Sequence, residues 1–525
     1  MMNRNIYIPV FTLMACFIGF SFNSPVSAKD LSDTLRIESG LVSGTKDLKS
    51  EVISFKGIPF AAPPVGDLRW KAPQPVKSWG GVKECKTYSA SAMQATPTPF
   101  SMWTSEFIAP AEPLSEDCLY LNVWTAAKSS SDKRPVIVFI HGGAFTGGSG
   151  SVPIYDGTEM AKKGVVFVTI NYRLGIFGFF SHPELSKESA SKTSGNYGLL
   201  DQIEALRWVR KNIVSFGGDP DRVTIAGQSA GAFSVNYLVA SPLAKGLFQR
   251  AIAESGGAIL STNTSGLKDA EKRGIEIAGL LNASSLADLR KIASSELLAI
   301  KTMTSPIIDG YVIPESMVRI FSDGKQNDVP VLLGWNANEG NFGGPLKNAS
   351  DFKRQAAEKY GDKATEFLKL FPAATDSEAE QSQLQLSGLQ IFGVQAYAWM
   401  KLQNKTGKSP VFMYHFEQSV PYRTDQKPFG AFHTGEVPYA YNNLHTSDRP
   451  WGKSDYELAE IMSSYWANFA ANGDPNGTNL PEWTACSPKN LKAMILAEKV
   501  ELKNLPQQDR LDFLEQFYFS KLKNY

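Results

Sequence analysis

The chain is 525 residues long, 43% hydrophobic and 20% charged, a composition that supports a large buried core and excludes a disordered or fibrous chain. Its 53 lysines and arginines offset 52 aspartates and glutamates, so with a net charge of +1 neither nucleic acid nor an anionic membrane surface is an expected partner. No Cys or His spacing resembles a zinc site, and neither a metal nor a cofactor is expected.

Residues 1–28 carry one charge, Arg4, then the apolar run "IYIPVFTLMACFIGFSF", then small residues at Val26, Ser27 and Ala28. The pattern predicts a signal peptide cut after Ala28, with export to the periplasm or the exterior and a mature chain over residues 29–525. Two readings compete: an uncleaved anchor, which Pro9 opposes by interrupting a run already short for a span, and a lipoprotein acylated at Cys16 in "LMAC". No later stretch is apolar for long enough to predict a membrane span. Beyond the leader lie Cys85, Cys118 and Cys486, an odd count that suggests one bridge and one spare thiol, and spacing alone does not choose the pair.

Buried strands are predicted at "PVIVFI" (135–140), "VVFVTI" (165–170), "RVTIA" (222–226), "VPVLLGW" (329–335) and "PVFMYHF" (410–416). None alternates apolar with polar residues, as suits a mostly parallel sheet covered on both faces. The first runs into "HGGAFTGGSG", whose Gly142 and Gly143 could bring backbone N–H groups close to an oxyanion. A phosphate cradle is the weaker reading, because no Lys-Ser/Thr pair follows and the spacing fits no dinucleotide fingerprint. Further on, "GLLDQIEALRWVRKNI" sets Leu199, Ile203, Leu206 and Ile213 near one helical face and stops at "FGGDP". Strands alternating with helices argue for an α/β sheet, and "KDAEKRGIEIAGLLNASSLADLRKIA" reads as a helical insertion.

"RVTIA" is followed by Gly227, Gln228, Ser229, Ala230 and Gly231, and then by the helical "AGAFSVNYLVA". A serine on a tight strand-to-helix turn, with glycines two residues either side removing Cβ clashes, reads as a nucleophile elbow. Such a turn also aims the N–H of Ala230 at charge growing on an attacked carbonyl. The bland alternative is a serine N-cap on a core helix, which needs no base or acid elsewhere.

A base must come from His141, His182, His415, His433 or His445. His141 is better suited to shaping the glycine loop, His415 sits in a strand pattern, and His182 precedes the serine, against the Ser, acid, His order of this architecture. His433 in "GAFHTGEVPY" is favoured over His445, since Gly430 and Gly435 let its loop carry the ring inward. For the acid, Glu339 follows a buried strand and precedes Gly340; its rival Asp309, in an Asp-Gly pair, reads as a turn.

Together, "FKGIPFAAPPVGDLRW", "SEDCLYLNVW", "HGGAFTGGS", "NYRLGIFGF", "FGGDPDRVTIAGQSAGA", "DGYVIP", "NANEG", "FHTGEVPY" and "YWANFAANGDPN" make the chain resemble the type-B carboxylesterase family, which includes cholinesterases and bacterial para-nitrobenzyl esterases. The resemblance implies an α/β-hydrolase fold: a large, mostly parallel sheet flanked by helices, with insertions walling the pocket. It implies Ser229 as nucleophile, Glu339 as acid, His433 as base, and Gly142, Gly143 and Ala230 as the oxyanion hole, acting on a small-molecule ester without metal or cofactor. It also implies a Cys85–Cys118 disulfide, buried ion pairs Arg69–Glu116 and Arg173–Asp201, and a hydroxyl at Ser255 near the acid. Gln228 departs from the pattern, since many relatives carry glutamate there, and no aromatic choline site is recognised. Because groups from 142 to 433 must share one sheet, a single catalytic domain over residues 29–525 is expected instead of the roughly three that length alone suggests. Candidate pocket walls are Trp103, Phe107, Phe145, Phe342 and Phe392. Lipase, amidase or carbamate chemistry would use the same triad, and a non-catalytic adhesion module is the reading from another class.

Overall fold

The run "PVIVFI" offers no polar residue to water on either side, and it forms the middle of the sheet, where both faces are covered. Its alternate residues enter different cores: Val136, Val138 and Ile140 join one apolar cluster, Ile137 and Phe139 the other, and all five are fully buried. The structure is a computed structural model that describes residues 1–2, 31–261, 264–300, 304–423 and 429–522. Arg4, Cys16 and the predicted cut after Ala28 lie outside the described residues.

Among the described residues the main sheet has eleven strands. In chain order they are β1 (Thr45–Lys46), β2 (Ile53–Pro59), β3 (Tyr120–Thr125), β4 (Arg134–Ile140), β5 (Val166–Ile170), β6 (Gly218–Gln228), β7 (Arg250–Glu254), β8 (Val331–Asn336), β9 (Val411–Phe416), β10 (Lys492–Leu496) and β11 (Glu501–Asn504). Across the sheet the order is β11-β10-β9-β8-β7-β6-β4-β5-β3-β2-β1. From β5 to β10 every pair is parallel, and antiparallel strands close both edges. β4 has β5 on one side and β6 on the other, so successive connections leave it in opposite directions and open a crevice at the carboxyl ends of the strands.

The principal helices are α1 (Tyr197–Asn212), α2 (Ala230–Ala240), α3 (Leu267–Leu280), α4 (Val394–Thr406), α5 (Lys453–Asn472) and α6 (Gln508–Leu522). Leu199 and Ile203 of α1, Val235 of α2, Trp399 of α4 and Leu514 of α6 fill the cluster on one face; Met462, Trp466 and Phe469 of α5 fill the other. The predicted face of α1 is buried at Leu199, Ile203, Leu206 and Ile213, and the chain stops at Gly217 with φ 77°. The predicted insertion forms α3 and a short helix, Leu286–Lys291, capped by Ser285 accepting from the N–H of Asp288. Among the described residues no helix is long and apolar enough to cross a membrane.

One expectation is corrected. Cys85 and Cys118 form no disulfide, and Cys486 is also a free thiol. Both predicted partners are 1% exposed within one apolar cluster. Burial pushes the Cys85 thiol up to about 11 and Cys118 higher still, which keeps them as the protonated thiols that do not attack. Both ion pairs are present and bidentate. Arg173 donates from Nε and Nη2 to Asp201 at 2.8 and 2.7 Å, and Arg69 donates likewise to Glu116 while Nη1 caps the carbonyl of Ile292 at 2.7 Å.

Candidate active site

Ser229 occupies the turn between β6 and α2 with φ 56° and ψ −125°, a conformation that non-glycine residues adopt only when the surroundings impose it. Its N–H donates to the carbonyl of Glu254 at 2.9 Å, and its carbonyl accepts the N–H of Phe233 at 2.9 Å, which ties the turn to β7 and to the first turn of α2. The flanking glycines answer to close approach, not to backbone sign. A Cβ on Gly231 would lie 1.9 Å from the carbonyl oxygen of Ile140, and one on Gly227 would lie 2.5 Å from the backbone of Gly231. The half-buried serine is thereby held over the end of β4.

The glycine loop after β4 lies against this turn. A Cβ on Gly142 would approach Ser229 Cβ to 2.9 Å. Thr146 and Gly147 both donate to the carbonyl of Gly143 at 2.9 Å, and Ala144 and Phe145 take positive φ of 54° and 61°. The N–H groups of Gly142, Gly143 and Ala230 make no hydrogen bond to any described residue, leaving three donors beside the serine. His141 shapes this loop as expected: buried and stacked on Tyr172, its Nδ1 lies 2.8 Å from the carbonyl of Gly142. Burial lowers it to about 4, so it is neutral at pH 7.

Glu339 and His433 meet. Nδ1 of His433 lies 2.6 Å from Oε2 of Glu339. The other carboxylate oxygen accepts the Ser255 hydroxyl at 2.7 Å and the N–H of Asn336 at 2.7 Å. Asn338, one residue before the acid, donates its N–H to the carbonyl of Ala431 at 3.0 Å and accepts the N–H of Ala431 on its side chain at 3.1 Å, pinning the acid loop to the histidine loop. Gly430, with φ 67°, has no room for a Cβ, which would lie 2.3 Å from that Asn338 oxygen. Ser229, Ser255, Glu339 and the glycine loop thus follow the carboxyl ends of β6, β7, β8 and β4, and His433 reaches the same edge from the loop after β9.

On its far side the imidazole meets Gln228: the Gln228 amide lies 3.3 Å from Nε2 of His433. The Ser229 hydroxyl makes no hydrogen bond among the described residues. Phe392 stacks on His433 at 4.5 Å, and Phe342 and Trp103 present edges at 5.3 and 6.2 Å, which places these three candidate walls at the site. Phe145 is buried against Phe179 behind the glycine loop. Phe107 is corrected: it is 5% exposed, packed on Phe432 under the Arg449 guanidinium, and faces no opening.

The rivals are elsewhere occupied. Asp309 accepts the N–H groups of Tyr311 and Ile313 in a turn; His182 caps a helix, His415 pairs with Glu417, and His445 is exposed. Pattern reading missed the buried polar layer beneath the acid. Asn336 donates to the carbonyl of Phe432 and to Glu436, and Glu254 accepts from Tyr441 and Trp466. Glu436 and Glu254 are fully buried. Desolvation holds Glu436 well above the carboxylate range and Glu254 at about 7. Their only signal in the chain is adjacency, three residues after His433 and one before Ser255.

The chain is similar over most of its length to known proteins. The carboxylesterase family profile matches residues 32–514. A fumonisin B1 esterase of Sphingopyxis macrogoltabida is 37% identical over 472 residues, covering 85% of this chain and 83% of its own. Para-nitrobenzyl esterase of Bacillus subtilis is 35% identical over 495 residues, 90% of this chain and 96% of its own, and a human cocaine esterase is 34% identical over 479 residues, 85% and 83%. The chain belongs to the carboxylesterase family and is an ester-hydrolysing enzyme of α/β-hydrolase fold.

Proposed function

We propose that the protein hydrolyses carboxylic esters through a Ser229, His433, Glu339 triad and an acyl-enzyme. The observation that carries this reading is the 2.6 Å His433–Glu339 contact at the same sheet edge as a serine held on a strained elbow. Ser229 Oγ attacks the ester carbonyl carbon while Nε2 of His433 takes its proton, and Glu339 holds Nδ1–H and offsets the positive ring. The N–H groups of Gly142, Gly143 and Ala230 bind the tetrahedral oxyanion. The bond to the alkoxy oxygen then breaks, His433 returns the proton to that oxygen, and the alcohol departs. Water, giving a proton to His433, attacks the acyl carbon; the acyl–Oγ bond then breaks, His433 returns the proton to Ser229 Oγ, and the acid departs. In the free enzyme Nε2 of His433 faces the Gln228 amide, so the reading requires the Ser229 hydroxyl to replace that contact as substrate binds.

Ser229→Ala tests this directly. The variant folds, loses ester turnover by roughly 10⁴-fold or more, and is no longer labelled by a fluorophosphonate. Labelling retained at another serine overturns the assignment.

Export completes the reading. The Arg4 and apolar-run pattern ending at Val26, Ser27 and Ala28 supports cleavage after Ala28, leaving one catalytic domain over residues 29–525. The mass of the mature protein from an exporting host distinguishes this from acylation at Cys16.

A further inference from the structure

A cleft of about 400 Å³ opens beside the amino end of α1, within the size range of small-molecule sites. It shares no lining residue with the triad, the glycine loop or the rings packed on His433. Residues 70–74, the loop over 188–196 and the turn holding Asp309 and Tyr311 form its walls, and Leu200, Glu204 and Arg207 of α1 complete them.

The walls are tied to one another and to the body of the protein. The Asn196 side chain donates to the carbonyl of Ile307 at 2.9 Å and accepts its N–H at 3.0 Å. Two residues further on, Asp309 accepts the N–H groups of Tyr311 and Ile313 at 3.0 and 2.9 Å. The Trp70 indole donates to the carbonyl of Ile176 at 2.8 Å. A cleft set in place before its ligand arrives needs little ordering when it fills.

Its charges cancel locally. Glu188 accepts two hydrogen bonds from Arg290 at 2.8 and 2.9 Å with Lys71 3.7 Å away, Glu204 pairs with Arg207 at 3.3 Å, and buried Asp309 is occupied by its backbone donors. An ionic ligand would give up its water here for no free counter-charge. What the cleft does present is hydroxyl and ring. Ser189, Ser191 and Thr193 line it as a relay, with 2.8 Å between the first two hydroxyls and 2.9 Å between the last two, and such a relay keeps lone pairs and one O–H to spare. Tyr311, 40% exposed, adds an open aromatic ring, and Leu185, Leu200 and Leu243 add apolar surface. A pyranose combines both needs, since hydroxyls ring its edge and C–H groups cover a face that lies flat on an aromatic side chain. We propose that this cleft binds a neutral sugar, with its hydroxyls on the Ser189, Ser191 and Thr193 relay and a C–H face on the ring of Tyr311.

Titration of the full chain with glucose, xylobiose, cellobiose and maltose, followed by saturation-transfer NMR and calorimetry, tests the site. At least one of the four is expected to saturate with a Kd of about 1 mM or tighter. Glucuronate and glucosamine, which add a charge to the same ring, are expected to bind at least about fivefold more weakly than glucose. Tyr311→Ala, and separately Ser191→Ala with Thr193→Val, should each weaken the sugar at least about fivefold. Both variants alter exposed or half-buried side chains, so each should keep the wild-type unfolding midpoint and turn over ethyl butyrate at a rate within about twofold of the wild type. No saturable signal for any of the four sugars at about 50 mM, tighter binding of a charged sugar, or an affinity unmoved in both variants overturns the site. Failure of the triad reading shows separately, as Ser229→Ala retaining turnover of ethyl butyrate.

Discussion

The side-chain amide of Gln228 sits 3.3 Å from Nε2 of His433, on the ring nitrogen that faces away from Glu339. With Nδ1–H given to Glu339, Nε2 of the neutral ring carries a lone pair that accepts the amide N–H. That is the nitrogen through which the Ser229 proton would pass, so the amide must give way when the hydroxyl takes its place. Gln228→Met keeps the bulk and removes the donor, and is expected to change kcat/KM for ethyl butyrate by about two- to fivefold while Ser229 is still labelled by a fluorophosphonate. A kcat/KM equal to that of the wild type would leave the contact without influence on the base.

The glycines of the elbow are held by crowding, and that is measurable. Gly231→Ala places a methyl 1.9 Å from the carbonyl of Ile140, between two backbones that neither strand nor helix can yield. A loss of roughly 3 kcal/mol or more in denaturant unfolding is expected. Gly279, exposed in α3 with no atom within 4 Å of its would-be Cβ, gives the opposite sign: Gly279→Ala should gain about 0.5 to 1 kcal/mol. Equal effects at the two sites would refute the crowding account.

Much of this site was legible in the chain because strand ends and glycines leave strong marks. The runs at 135–140 and 222–226 become β4 and β6, and the residues that follow each run fall at one sheet edge. Glu339 was separable from Asp309 because a buried strand precedes the one and an Asp-Gly turn contains the other. The short strands β3, β7 and β10 escaped because "YLNVWT", "RAIAE" and "KAMIL" mix polar or charged ends with few apolar residues. Side-chain contacts across the fold left no periodic trace. Gln228 on His433, Trp103 on Thr434 and Glu436 under Asn336 join residues about 100 or more positions apart. Phe107 shows the converse: a candidate pocket wall in the chain, it is covered by Arg449 in the fold.

Arg173 and Asp201 form the most deeply buried ion pair of the two expected, 3% and 0% exposed, and Asp201 also accepts the N–H of Arg173 at 3.1 Å. Removing one charge strands the other. Asp201→Asn should cost roughly 3 to 5 kcal/mol, whereas Arg173→Met with Asp201→Leu should recover most of that loss. Denaturant midpoints of the single and double variants check this; a double variant as unstable as the single would mean the pair is needed for more than charge balance.

Glu254 makes stability depend on pH in a direction opposite to His141. Its Oε1 accepts from the Tyr441 hydroxyl at 2.8 Å and Trp466 Nε1 at 2.6 Å, while Oε2 has no partner among the described residues. Burial raises it from 4.5 to about 7, so between these values the folded protein holds a proton that the unfolded chain has lost. The contribution is full below about pH 4.5 and disappears as pH rises through about 7. His141, lowered from 6.5 to about 4, acts in reverse: its contribution is full above 6.5 and is lost as pH falls toward 4. Glu254→Gln keeps an oxygen for both donors and removes the titration. At about pH 8 the variant should therefore exceed the wild type by up to roughly 3 kcal/mol, match it near pH 4, and retain the acid-side decline that His141 imposes. Part of the alkaline decline persists, since buried Glu436 is raised in the same sense. Thermal unfolding across that range decides the matter: two curves running parallel would show that Glu254 titrates alike in the folded and unfolded chain.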